Sequence, residues 1–237
     1  MKSEYSTYKE WKGWGVKNVL SPLMAKYFES EISLAIKTEP TTFLEVGFGN
    51  GEFLEWAKTR GASVTGIEII PELVQAAEVQ GFEVFQWNIA SGDDKNPLQD
   101  RKFDCIVALD VIEHLSTAEI RVCFFHFGEL LQDGGRIVLR FPNGESPFSL
   151  PLQNGDHTHR TWLTKLKLEH LCLSSDLELE SYRNACRIAN HLRFYWIKSL
   201  LFIVRDAVEI FVGYVYYSKR VPLDANAVAV LRKKKSI

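Results

Sequence analysis

The fold class is indicated most clearly by one stretch of the sequence, Phe43-Leu44-Glu45-Val46-Gly47-Phe48-Gly49-Asn50-Gly51-Glu52. In it, a short apolar run is followed by three glycines at alternate positions, and a helix-like pattern comes next. This order predicts a buried strand, a tight turn and a helix N-terminus, the layout of a nucleotide-type cofactor site in an α/β sheet. Glycine suits such a turn because it reaches positive φ and has no Cβ to keep a ligand away from the backbone.

The spacing of the glycines separates two kinds of cofactor. A dinucleotide fingerprint, G-x-G-x-x-G, requires its third glycine at position 52, but that position is Glu52 and the third glycine is Gly51. Glu45 stands two residues before Gly47 and completes the pattern E-x-G-x-G-x-G. An oxidoreductase on a dinucleotide fold is therefore the less favoured alternative.

Strand-like and helix-like segments alternate along most of the chain. Such alternation implies right-handed crossovers within a mostly parallel sheet. The most strand-like run, 103–109, is a continuous apolar stretch typical of a central parallel strand that is buried on both faces. The other predicted strands are 43–47, 62–68, 83–87, 136–141, 177–185 and 227–231.

Polar side chains follow the carboxyl ends of these strands, where ligands bind in parallel α/β sheets. Glu68 ends the second strand, and a carboxylate there can accept hydrogen bonds from both hydroxyls of a ribose. Its structural alternative is a solvated or helix-capping acid. Asn88 ends the third strand, Asp110 follows the fourth and Pro142-Asn143 follows the fifth, so all of them should converge with the glycines.

These motifs carry a resemblance to a known family. Glu45–Gly51, Glu68, Asp110–Leu115 and Pro142-Asn143 stand in the order and spacing of a class I S-adenosylmethionine-dependent methyltransferase. The resemblance covers roughly residues 40–190 and the final strand. It implies an α/β, Rossmann-like sheet of seven mostly parallel strands, the last one antiparallel, with helices on both faces. S-adenosylmethionine is then the expected cofactor, bound by Glu45, Gly47, Phe48, Gly49, Gly51, Glu68, Ile69, Asn88, Ile89, Asp110 and Val111.

A narrower resemblance rests on two further segments. Trp11-Lys12-Gly13-Trp14-Gly15 and Gly155-Asp156-His157-Thr158-His159, together with the glycines, look like bacterial methyltransferases associated with polysaccharide and O-antigen synthesis. That resemblance implies O-methylation of a sugar hydroxyl in a glycan, a lipid-linked glycan or a nucleotide sugar. A small metabolite such as a quinone or phenol is an alternative acceptor, and a non-catalytic, methyltransferase-like interaction protein is an alternative of another class.

Three histidines are the predicted catalytic residues. A hydroxyl acceptor must lose a proton, and histidine has a suitable pKa for a general base. His114 follows the fourth strand beside the expected cofactor, and His157 and His159 lie in a loop expected at the mouth of the site. Orienting the loops is their structural alternative. The H-x-H pair beside Asp156 also resembles a metal site, but no third strong ligand is evident, so no metal is predicted.

We expect one domain over residues 1–237, with an N-terminal helical arm at 1–40 and an amphipathic helical insertion at about 191–222. In the arm, Ser21-Pro22 is typical of a helix start, with Ser as the N-cap and Pro at the first helical position. In the insertion, the segment 194–217 is strongly apolar and aromatic.

Four charged residues interrupt that apolar segment, namely Lys198, Arg205, Asp206 and Glu209. A membrane-spanning helix requires about 20 mainly apolar residues, so spanning is not expected. Three interpretations stay open: a core-packing helix, a homodimer interface, and a helix that contacts a membrane surface.

Composition bounds the remaining classes of partner and location. The 237 residues are 46% hydrophobic and carry a formal net charge of -2, so nothing suggests nucleic acid. The four cysteines form no C-x-x-C pair, which predicts reduced thiols in a cytosolic protein. The N-terminus opens no apolar segment typical of a secretory signal. A cytoplasmic location is expected, or a peripheral one at the inner face of the membrane if the insertion docks there.

Overall fold

The computed structural model describes residues 20–92, 95–188 and 195–234. The strands of this part of the chain are β1 (Thr42–Val46), β2 (Ser63–Glu68), β3 (Glu83–Gln86), β4 (Phe103–Leu109), β5 (Leu131–Pro142), β6 (Leu177–Asn184) and β7 (Asn226–Lys233). They form one sheet in the order β3-β2-β1-β4-β5-β7-β6. Strands β1 to β5 pair in parallel, whereas β7 lies antiparallel between β5 and β6.

Helices flank this sheet, and the local sequence explains where two of them start. The Ser21 hydroxyl accepts a hydrogen bond from the Met24 backbone N–H (3.1 Å) at the predicted helix start. Ser116 and Glu119 form a reciprocal capping box at the start of the helix Thr117–Leu130. The helices are α1 (Pro22–Ala35), α2 (Glu52–Thr59), α3 (Pro71–Val79), α4 (Thr117–Leu130), α5 (Leu150–Gly155), α6 (Lys165–Cys172) and α7 (Tyr195–Tyr217), with short 3₁₀ turns at Ile112–His114 and Pro147–Ser149.

The core has a layer on each face of the sheet, and β4 contributes to both. Cys105 and Val107 pack in one layer with aromatic side chains of α1 and α2, whereas Ile106 and Ala108 pack in the other with α4. All four are buried, as expected of a central parallel strand. The sheet order reverses between β1 and β4, and in such folds ligands bind at the carboxyl ends of the strands flanking that point.

The predicted fold class is confirmed, but β5 begins at Leu131 rather than at 136, because Leu131 already pairs with Phe103. The pairing shifts register between Leu131 and Arg136, so Asp133-Gly134-Gly135 lies inside the strand. Within the predicted insertion, α7 forms one helix over Tyr195–Tyr217. The Trp11–Gly15 segment lies outside the described residues.

Candidate active site

The glycine turn (Gly47–Gly51) joins β1 to α2. Gly47, Gly49 and Gly51 have φ values of 67°, 51° and 76°, in the left-handed region that favours glycine. A Cβ at Gly47 would lie only 2.7 Å from Cγ2 of Val111, so the turn also requires a residue without a side chain there. Backbone N–H groups of such a turn, at the start of a helix, can bind polar groups of a ligand.

Glu68 holds the glycine turn against the end of β2. Its carboxylate accepts hydrogen bonds from the backbone N–H groups of Gly49 (3.1 Å), Ile69 (2.7 Å) and Ile70 (3.2 Å). Burial raises the pKa of this carboxyl, although the three N–H donors act in the opposite direction. Each carboxylate oxygen accepts up to two hydrogen bonds. Oε1 already accepts two and Oε2 one, so one acceptor site on Oε2 remains for a ribose hydroxyl.

Glu45 is buried beneath the turn with its side chain near the start of α2. Burial raises its pKa well above the ordinary value, and the Leu54 backbone N–H lowers it in part. Its Oε2 atom has no hydrogen-bond partner among the residues that the structure describes. A buried carboxylate oxygen is normally paired, so a cationic group such as the amino group of a methionine moiety fits here.

The other predicted cofactor residues divide into supporting and lining positions. Phe48 is buried and packs over Gly66, where a Cβ would lie 2.7 Å from its ring; its side chain supports the turn from below. Ile89 is also buried. Ile69 and Asn88 line a shallow pocket of about 370 Å³ beside β3. The Asn88 Oδ1 atom accepts a hydrogen bond from the Ala90 N–H, which fixes this loop.

Asp110 has a partner that the sequence did not reveal. It adopts a left-handed φ of 57° directly after β4 and forms a two-point ion pair with Arg140, in which Nε donates to Oδ1 at 2.9 Å. The Arg140 guanidinium also lies 5.2 Å from the centre of the Tyr27 ring. The strand register explains this contact. Arg140 pairs with Leu109 across the two adjacent strands, so it lies beside Asp110, the residue that follows β4.

Loops from two distant parts of the chain meet across the 3₁₀ turn after β4. The Glu113 carbonyl oxygen accepts hydrogen bonds from the N–H groups of Arg160 (2.8 Å) and Thr161 (3.0 Å). The Thr161 hydroxyl donates to the carbonyl of Leu115 (2.6 Å). We call the side chains brought together here the histidine cluster; they are Glu113, His114, Asp156, Thr158 and His159.

Hydrogen bonds orient both rings of the histidine cluster. The centres of the His114 and His159 rings are 4.7 Å apart, at 63° to each other. Nδ1 of His114 lies 2.9 Å from the Thr158 Oγ1 atom, which lies 2.5 Å from Oδ1 of Asp156. Nδ1 of His159 lies 3.2 Å from the Gln153 carbonyl oxygen, and its Nε2 lies 3.8 Å from Oδ2 of Asp156.

Asp156 is the acidic anchor of the cluster. Burial opposes its ionisation, but hydrogen bonds from Thr158 and the nearby rings of His159 and His114 outweigh burial and lower the pKa of this carboxyl. His157 is exposed on the same loop, and the structure does not bring it into the cluster. Glu113 and Thr158 were missed by sequence reasoning, although each directly neighbours a predicted histidine.

The cluster also contains a third metal-type ligand, which the sequence did not make evident. One ligand atom each from Glu113, His114 and His159 lie within 4.8 Å of one another. Two imidazoles with hydrogen-bonded Nδ1 atoms and a carboxylate are a donor set that a divalent cation accepts. The arrangement therefore suits two chemistries, proton abstraction by a histidine and coordination of a cation.

Comparison with known proteins decides the family. The family described as "methyltransferase domain" matches residues 21–182, more than half of the chain. This chain belongs to that family. The enzyme class and cofactor that the family resemblance implied, a methyltransferase that uses S-adenosylmethionine, are confirmed.

Individual relatives of this methyltransferase are distant. A ubiquinone biosynthesis O-methyltransferase of Xanthomonas oryzae pv. oryzae is 26% identical over 197 residues, covering 73% of this chain and 79% of that protein. A SAM-dependent methyltransferase from Archaeoglobus fulgidus matches with a TM-score of 0.58 and 18% identity, covering 98% and 100% of the two chains. The plantazolicin methyltransferase BpumL in complex with SAH matches with a TM-score of 0.55 and 16% identity, covering 98% and 89%. These two structures show the same fold.

Proposed function

We propose that this methyltransferase O-methylates a hydroxyl group bound beside the histidine cluster, with His114 as the general base. The observation that carries the proposal is the chain of hydrogen bonds from Asp156 through Thr158 to His114. It ends at His114 in the 3₁₀ turn after β4, at the edge of the sheet where the glycine turn lies.

The hydrogen-bond chain assigns the tautomer of His114. Asp156 has a lowered pKa and is ionised at neutral pH, so it can only accept the proton of the Thr158 hydroxyl. The Thr158 oxygen then acts as the acceptor toward His114, and Nδ1 carries the ring proton. In the neutral ring the lone pair therefore lies on Nε2, which is the atom we assign to take the hydroxyl proton.

The donor half of the site follows from the fit of the cofactor to the turn. We assign the ribose to Glu68, the amino end to Glu45, and the adenine side to Ile69 and Asn88. S-adenosylmethionine supplies a methyl group already activated by its sulfonium. The protein then has to hold donor and acceptor in line, and positioning of this kind supplies much of the rate. The Asp110 carboxylate is held by Arg140, so we assign it to loop geometry rather than to charge.

A phenolic hydroxyl is the acceptor that this base favours. A phenol has a pKa of about 10, whereas a water-like hydroxyl lies near 15.7, so a histidine removes the phenolic proton far more easily. The similarity to a ubiquinone biosynthesis O-methyltransferase supports the same class. The sugar hydroxyl of a glycan or nucleotide sugar, predicted from the narrower resemblance, is the second candidate, because the Gly155–His159 motif that carries it forms part of the cluster.

A methyl-transfer screen tests the proposal. The protein is incubated with labelled S-adenosylmethionine and, in parallel, with phenols and quinols, nucleotide sugars and lipid-linked oligosaccharides, and the products are mapped by mass spectrometry. We expect a methyl ether on a phenolic oxygen. Transfer to a sugar oxygen would select the second candidate. Transfer only to nitrogen or sulfur, or no transfer together with tight cofactor binding, would contradict O-methylation.

A divalent cation at Glu113, His114 and His159 is the alternative way to activate the same hydroxyl. A cation bound there would lower the pKa of a hydroxyl that it coordinates, so that water could take the proton in place of a histidine. Turnover before and after dialysis against a chelator distinguishes the two routes. Unchanged turnover supports the base, whereas a loss restored by added cation supports coordination.

A further inference from the structure

The helix α7 presents an apolar surface to solvent. Of the 22 large hydrophobic residues exposed among those that the structure describes, 13 lie on α7. Trp196, Ile203, Phe211 and Tyr216 are 83%, 65%, 68% and 75% exposed. Soluble proteins rarely leave a contiguous apolar patch of this kind uncovered, so the exposed side of α7 marks an interaction site.

The polar side of α7 faces the protein instead. Glu209 is buried and accepts hydrogen bonds from the Leu223 N–H (3.0 Å), the Arg220 Nε (2.7 Å) and the amide of Asn184. These donors outweigh burial and lower the pKa of Glu209. Asp206, one turn earlier, pairs with Arg220 (3.3 Å) and Arg187 (2.9 Å). The helix is therefore attached through its acids, the reverse of an ordinary surface helix.

The charges around α7 select one kind of partner. Both acids of the helix are neutralised by arginines, with Glu209 buried and Asp206 half-exposed. Lys219, just after the helix, is exposed, and Arg205 on the helix is half-exposed while it pairs with Asp224 (3.0 Å). Aromatic residues stand at both ends, with Trp196 at the start and Tyr214, Tyr216 and Tyr217 in the last turn. An apolar face with basic flanks and aromatic ends is the pattern of a helix that lies in the headgroup region of an anionic bilayer.

Spanning the bilayer does not fit this helix. None of the helices in the described part of the chain is long and apolar enough to cross a membrane. A helix lying along the surface needs only one apolar side, which α7 has.

Hydrogen bonds connect α7 to the carboxyl edge of the sheet. The Asn143 side-chain amide donates hydrogen bonds to two carbonyl oxygens in the loop that follows α7, those of Pro222 (2.9 Å) and Asp224 (3.1 Å). The Ser146 hydroxyl donates to the carbonyl of Leu223 (2.5 Å). Asn143 directly follows β5, so the helix is tied to the edge of the sheet that carries the site.

We propose that α7 docks this methyltransferase on an anionic lipid surface through its exposed apolar face. The proposal does not depend on which hydroxyl is methylated. Its consequence is that the enzyme works at the surface of a bilayer, where an acceptor with an apolar chain is concentrated.

Vesicle co-sedimentation tests the docking. The intact protein is mixed with phosphatidylcholine vesicles that contain or lack phosphatidylglycerol. We expect it to sediment with the anionic vesicles, to bind neutral ones more weakly, and to bind less as salt increases, because salt screens the basic residues. The double variant Ile203→Asp with Phe211→Asp should reduce binding at least about tenfold, because it places two charges in the apolar face.

A matched control is Val79→Asp on α3, which makes the same change at a residue that is 84% exposed. It should bind vesicles like the unmodified protein, and calorimetric binding of S-adenosylmethionine should show that every variant is folded. An unmodified protein that stays in solution, or a double variant that sediments undiminished, would overturn the proposal. A stable dimer that ignores vesicles and that the double variant splits would assign the face to a second copy instead. Loss of methyl transfer with retained vesicle binding would count against the proposed function and not against docking.

Discussion

The glycine turn and the histidine cluster serve the same reaction, yet they are built from different atoms. The turn is made of backbone within five consecutive residues, and its shape comes from the left-handed φ values of three glycines. The cluster presents side chains of residues 113, 114, 156, 158 and 159, which backbone and side-chain hydrogen bonds between the two loops bring together. The donor half of this enzyme, the glycine turn, is therefore a local structure, whereas the acceptor half, the histidine cluster, depends on packing of distant segments.

The largest effect is expected in the cluster. His114→Ala should lower kcat by about 10³-fold, because general-base catalysis contributes roughly 10² to 10⁴. Binding of S-adenosylmethionine should change little, since the base acts on the acceptor. The control is His157→Ala, which removes an exposed histidine from the same loop and should leave turnover near normal. Equal kcat values for the two variants would place the base elsewhere.

The turn should respond in affinity rather than in kcat. Gly47→Ala should weaken S-adenosylmethionine binding about 100-fold in calorimetry, because its Cβ would lie 2.7 Å from Val111 and a left-handed alanine costs roughly 1–2 kcal/mol. Gly61→Ala is the matched control, with a φ of 77° and nothing within 4 Å of its Cβ. It should lose similar stability and keep its affinity. Equal loss of affinity in both would show that close packing at Gly47 is unimportant.

A smaller effect is expected from the residue that orients the base. Thr158→Val removes the hydroxyl between Asp156 and His114 while keeping the shape of the side chain. Turnover should fall about tenfold, the size of one lost hydrogen bond of about 1–1.5 kcal/mol. The acid limb of the pH–rate profile should move, because His114 loses its link to the carboxylate. A slower enzyme with an unmoved pH profile would indicate a merely structural role for Thr158.

The smallest effect distinguishes binding from stability at Glu45. Its pKa is raised by burial, so the folded protein favours the protonated carboxyl, and stability is lost as pH rises from the ordinary value toward the raised one. Glu45→Gln removes this loss. The difference in free energy of unfolding between the variant and the unmodified protein should therefore shift in favour of the variant as pH rises from about 4 to 7. The affinity of the variant for S-adenosylmethionine should fall. Urea unfolding at several pH values measures this difference in free energy of unfolding, and Glu72→Gln, at an exposed residue, is the control. A difference that stays constant with pH would contradict the buried, raised carboxyl.

Several features were predictable from the sequence because each depends on neighbouring residues. The alternation of strands and helices, the start of α1 at Ser21-Pro22 and the enzyme class all followed from short patterns. The early start of β5 was not predictable, because Leu131 joins the sheet through pairing with Phe103, which is 28 positions away. The roles of Thr158 and Glu113 were not predictable for the same reason. Thr158 contacts His114, and Glu113 approaches His159, in each case across two loops that are distant in the sequence.

The sequence was sufficient to indicate a methyltransferase, because the three glycines, Glu45 and Glu68 lie close together along the chain and resemble the cofactor motif of that family. Which histidines meet, and which side of α7 faces solvent, depends on tertiary contacts. A helical pattern specifies an apolar and a polar side but not their direction. That direction is decided by Arg187 and Arg220, which neutralise the acids of α7 on its protein side and leave its apolar side exposed.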